Sequence, residues 1–105
     1  EPVTSVPVER LVERSLGINR SAAVGVGPHG RQQLVVVLEN GAAPAGLADD
    51  EIAARVRDVV AHPVAAVLSL PSMPVDIRHN AKIDRAVVAD WAGALLAGRR
   101  SAPPS

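Results

Sequence analysis

The sequence predicts a small α+β fold, a sheet of about three strands with helices packed on it. Three observations carry this expectation. The 105 residues, 48% of them hydrophobic, suit one small domain. Apolar residues recur at helical spacing in some segments and as branched runs in others. The segments alternate as helix, strand, strand, helix, strand, helix, with turn residues at the joints.

The first helix is expected from Pro7 to Leu16. Pro7 suits the first helical position and Gly17 the C-terminal cap, with Val8, Leu11, Val12 and Leu16 as one apolar stripe. Ala22 to Val26 reads as a strand. The turn Gly27-Pro28-His29-Gly30-Arg31 should fold it back as a hairpin onto Gln33 to Glu39. The branched run Leu34 to Leu38 matches a strand covered on both faces. Asn40 to Gly46 reads as a surface loop. A helix from Asp50 to Val60 follows, with Asp49, Asp50 and Glu51 suiting its N-terminus and Ile52, Val56, Val59 and Val60 on one face. His62-Pro63 ends it, and His62 is expected as its C-terminal cap. Ala65 to Leu70 is a strand, and Pro71 to Lys82 is irregular. Asp84 is a structural cap for the last helix, which turns Val87, Val88, Trp91 and Leu95 inward before Gly98. Arg99 to Ser105 is expected as a disordered tail.

The composition excludes several chemistries. Without cysteine there are no disulfides, thiolate nucleophiles or Cys-ligated zinc. His29, His62 and His79 lack any metal-ligand spacing, so no metal site is expected. A net charge of zero argues against a nucleic-acid or anionic-membrane surface. With no Phe or Tyr and one Trp, stacking on bases is almost ruled out. No apolar run approaches a membrane span and no signal peptide is visible, so the expected location is the cytoplasm. The chain opens at Glu1-Pro2 without methionine, as a piece of a larger polypeptide or a processed or engineered terminus would.

One segment gathers polar chemistry: Asp76, Arg78, His79, Asn80, Lys82, Asp84 and Arg85. Lys82 is the only lysine beside ten arginines. A lysine is a compact point charge on a mobile stem, where arginine is a rigid fork. Placed in a polar turn, it suits a phosphate or carboxylate, and Asn80 or nearby amides can add hydrogen bonds. The same residues also describe a solvated loop with a helix cap and an ordinary surface ion pair.

Met73-Pro74 through Lys82-Ile83-Asp84-Arg85 resembles the C-terminal lysine motif of the adenylate-forming superfamily. That superfamily comprises acyl-CoA synthetases, adenylation domains of peptide synthetases and luciferases. Its usual motif is Pro-Lys-Thr, two variable residues, then Gly-Lys-Ile/Val-Asp-Arg. The upstream order agrees: Glu1-Pro2, Val8-Glu9 on a helix, Ser21-Ala22-Ala23-Val24-Gly25-Val26-Gly27, a second strand, and Leu47-Ala48-Asp49-Asp50-Glu51-Ile52 opening a helix. Two departures stand out. Ala81 replaces the usual glycine, and the stretch from Pro74 to Lys82 is two residues longer than the common motif. Arg78-His79-Asn80-Ala81-Lys82 is most similar to the version in olefin-pathway β-lactone synthetases, which resemble fatty-acyl-CoA ligases and close a β-hydroxy acid to a β-lactone through an acyl-adenylate. It stays open whether Arg78, His79 and Asn80 touch substrate or nucleotide or only shape the turn.

The resemblance implies that residues 1–98 are the mobile C-terminal lid of an ATP-dependent synthetase. A large N-terminal domain, the lid's partner, would bind ATP with Mg, the carboxylic acid (a fatty or β-hydroxy acid) and, in ligases, CoA. The lid would deliver Lys82 as the catalytic lysine. The hinge would lie just before Glu1, and the isolated chain would be inactive. Arg85 would pair with an acid of the large domain or face water. Two readings compete: a stand-alone α+β module that binds a small ligand and dimerises, and a structural domain without a ligand.

Overall fold

The computed structural model describes residues 5–28, 30–79 and 82–98, with only the backbone given for Ser5 and His79. Its elements in order are α1 (Ser5–Leu16), β1 (Ser21–Val26), β2 (Gln33–Glu39), β3 (Gly46–Leu47), α2 (Asp50–Val59), β4 (Val64–Leu70), β5 (Val75–Asp76), a 3-10 turn (Ile77–His79), β6 (Lys82–Ile83) and α3 (Arg85–Leu96). The fold is α+β. The main sheet has four strands in the order β1-β2-β4-β3, and β5 and β6 form a separate two-stranded ribbon. The expected disordered tail lies outside the described residues, as do His29, Asn80 and Ala81.

The sheet is mixed. β1 and β2 pair antiparallel, from Ser21 opposite Leu38 to Val26 opposite Gln33. β2 and β4 run parallel, which requires the crossover that α2 supplies. β3 adds antiparallel to β4, with Gly46 opposite Ser69 and Leu47 opposite Leu68. The segment read as a loop therefore ends in an edge strand. Two residues are too few to show the period-2 alternation that marks a strand.

Strand alternation divides the core into two layers. On one face Ala22, Val24, Val35, Val37, Leu68 and Leu70 pack against Val88, Trp91 and Ala92 of α3. On the other Ala23, Val36, Leu38 and Val67 pack against α1 through Val8 and Val12 and α2 through Ala53, Val56 and Val60. The inner strands β2 and β4 are covered on both sides, as the unbroken run Leu34–Leu38 implies.

Arginines tie the outer elements together. Arg57 of α2 donates from Nε to the Val64 carbonyl at 3.2 Å and from Nη2 to the Ala65 carbonyl at 3.4 Å. Arg55 donates to the Ser15 carbonyl in the last turn of α1 at 3.3 Å. Gly17, at φ 69°, ends α1, and its amide and that of Ile18 both donate to the Glu13 carbonyl at 2.9 and 3.1 Å.

Four sequence expectations are corrected. α1 starts at Ser5, so Pro7 is its third residue; first-turn amides have no helical acceptor, so the missing N–H is tolerated there. Leu11 is 40% exposed. The buried arc of α1 is Val8, Val12 and the acidic Glu9, because the helix turns its carboxylates to β1. Val60, in extended conformation, caps α2, and His62 lies exposed beyond it. Val87 is 39% exposed, since the stripe that faces the sheet is Val88, Trp91 and Ala92.

These placements predict opposite outcomes for two truncations. Leu68→Ala, at a fully buried site, lowers unfolding free energy in urea by about 2–5 kcal/mol. Val87→Ala changes it by less than about 0.5 kcal/mol.

Candidate functional site

Lys82 stands in the β5–β6 ribbon, where Val75 pairs with Ile83 and Asp76 with Lys82. Its side chain is exposed, and the antiparallel register sets it on the same ribbon face as Asp76. Between the strands, the Asp76 carboxylate accepts from the Arg78 amide at 3.0 Å and opens the 3-10 turn. The Arg78 guanidinium lies 3.7 Å from the same oxygen and is largely in solvent. Ile77, at the turn, is 84% exposed. The His79 side chain and Asn80 lie outside the described residues, so of the expected polar group the structure places Lys82, Arg78 and Asp76 together.

Both ends of the ribbon are anchored. Before β5, Met73 is buried and its amide donates to Glu39 Oε2 at 2.8 Å. After β6, Ile83 packs on the α3 side of the core. The Asp84 amide donates to the Pro74 carbonyl at 2.9 Å, which closes the ribbon's base. The Asp84 side chain accepts from the Val87 amide at 3.2 Å, so it is the expected N-cap of α3.

Arg85 opens α3 and reaches the Glu9 carboxylate on α1. Its Nε donates to Glu9 Oε2 at 2.8 Å and its Nη2 to Oε1, a bidentate pair. Glu9 is only 5% exposed, and its Oε2 also accepts from the Ala23 amide of β1 at 2.8 Å. One turn on, Glu13 Oε2 accepts from the Ser21 amide at 2.9 Å and the Ser21 hydroxyl at 3.0 Å. β1 is an outer strand, so among the described residues its outward amides have no strand partner. The two glutamates fill that role and block further strand addition. The hydrogen bond to Glu9 raises the Arg85 pKa above its usual value, with burial opposing, so Arg85 stays charged at all physiological pH.

Sequence reasoning offered Arg85 a partner in another domain or in water; its partner is Glu9 of this chain. A signal was present. Two acids four residues apart beside the apolar stripe of one helix repel unless each finds a donor.

Among the described residues no group of three or more His, Asp or Glu is placed to hold a metal ion. Lys82, an exposed cation, fits a phosphate or carboxylate contact. No described helix is long and apolar enough to cross a membrane.

No protein-family model matches the chain. Two curated relatives match it over most of its length. It is 41% identical over 97 residues to an olefin beta-lactone synthetase of Xanthomonas campestris pv. campestris, covering 87% of this chain and 17% of that protein. It is 37% identical over 101 residues to an olefin beta-lactone synthetase of Stenotrophomonas maltophilia, covering 93% of this chain and 18% of that protein. The chain thus spans about a sixth of the length of these relatives.

The geometry ranks the ion pairs. Glu9→Ala removes the acceptor of both the Ala23 amide and Arg85, and lowers unfolding free energy by about 3 kcal/mol. Arg78→Ala, which breaks a solvated pair, changes it by about 0–1 kcal/mol. Urea titration of both variants checks the contrast.

Proposed function

We propose that this chain is the C-terminal lid of an ATP-dependent synthetase that activates a carboxylic acid, a fatty or β-hydroxy acid, as its acyl-adenylate. The observation that carries this reading is the placement of the only lysine. Lys82 is exposed on a short ribbon whose two ends are tied to the core. Similarity over most of the chain to part of two olefin beta-lactone synthetases supports it.

Lys82 would act by charge. Attack of a carboxylate on the α-phosphate brings two anions together, and negative charge builds on the phosphoryl oxygens as pyrophosphate leaves. A cation placed there stabilises the transition state more than the ground state. Its effect grows when a closing lid expels water. Because the lysine projects from an exposed ribbon, it can enter a cleft formed by another domain without disturbing the sheet. ATP, with its Mg, would supply the adenylyl group and would be held by the large domain. Arg78, His79 and Asn80 would either contact nucleotide or substrate or shape the turn that presents Lys82. CoA would be a co-substrate only in a ligase; the named activity of the relatives favours closure to a β-lactone.

Lys82→Ala in the full gene product tests the reading. The variant is expected to fold normally, with an unchanged melting temperature, and to lose carboxylate-dependent exchange of pyrophosphate into ATP. Retention of wild-type exchange refutes the assignment. A ligand-binding or dimerising module predicts instead that the isolated chain self-associates with concentration and is stabilised by a small anion.

A further inference from the structure

Lys82 lies on a two-residue strand paired with another of two residues, and so short a ribbon has little rigidity of its own. Its orientation must come from its attachments. The one reaching deepest into the fold is three residues away, where Arg85 forks onto Glu9. Glu9 is buried on α1, on the opposite face of the sheet from α3, and its carboxylate also holds the Ala23 amide of β1. A continuous path therefore runs from the sheet through Ala23, Glu9 and Arg85 to the backbone that carries Lys82.

We propose that the Glu9–Arg85 pair is a positioning device for Lys82, setting the height and orientation of the β5–β6 ribbon over the sheet edge. The proposal rests on the reading of Lys82 as the adenylation lysine. The chemistry of the pair suits this task. A bidentate guanidinium–carboxylate contact fixes rotation as well as distance, whereas an ammonium leaves rotation free. The carboxylate cannot shift, because the same oxygen that meets Arg85 Nε is held by a strand amide. Asp84, between Lys82 and Arg85, ties the helix start to the ribbon base, so displacement of Arg85 passes directly to Lys82. Neither Glu9 nor Arg85 needs to touch substrate.

The test uses the full gene product with Arg85→Lys and Glu9→Gln, which keep a hydrogen-bonding side chain at each position; Arg85→Ala risks unfolding. Two readouts are taken: amide hydrogen exchange along the chain, and the kinetics of carboxylate-dependent pyrophosphate exchange. The expected result is loss of protection confined to Lys82–Arg85, with Val36 and Leu68 as protected as in the wild type. The exchange kcat should fall by about a hundredfold with KM for ATP and acid unchanged, as for a group displaced by roughly 1 Å. Unchanged protection at Lys82 and Ile83 overturns the proposal. So does equal loss across the whole sheet, which marks a role in stability alone. Unchanged kcat despite local loosening also overturns it. If the wild type lacks pyrophosphate exchange while the variants loosen only Lys82–Arg85, the adenylation reading fails and the mechanical link stands.

Discussion

A single buried carboxylate ties three parts of this molecule together. Glu9 accepts from the amide of an outer strand and from a guanidinium at the start of the last helix, while its own helix packs on the opposite sheet face. A carboxylate with one donor would be poorly compensated in such a place; with three hydrogen bonds it is satisfied and rigid. The strand edge, the orientation of α1 and the start of α3 all depend on it. The turn of α1 that buries Glu9 also puts Leu11 into solvent, which hydrophobicity alone would not produce.

The arginine bias acquires a physical sense in this frame. Arg55, Arg57 and Arg85 each reach a backbone carbonyl or a carboxylate on another element, and two of them do so through two nitrogens. Planar forks suit such fixed duties. Lys82 is exposed on its ribbon.

The helices and long strands were legible because their patterns are strong. Helical spacing in α1, α2 and α3 and the branched run of β2 hold over many residues, and Asp84 precedes an apolar helix as a cap should. What escaped was short or non-local. β3 and the β5–β6 ribbon have two residues per strand, so no periodicity marks them. Val87 and Val88 are equal by hydrophobicity, and only the roll of α3 on the sheet exposes one and buries the other. Of the candidate site, Lys82 was legible from its singularity and its turn, and Asp84 from its spacing. The partner of Arg85 was not, since 76 positions separate it from Glu9.

By itself the sequence determined the α+β class, the order of the major elements, the largely aliphatic character of the core and the isolation of one lysine in a polar segment. These follow from local composition and periodicity. Tertiary structure alone decided the mixed strand order, which side of α1 is buried, and the bond between Glu9 and Arg85. Those depend on which unsatisfied amide meets which carboxylate once the helices have docked, and no window along the chain contains both partners.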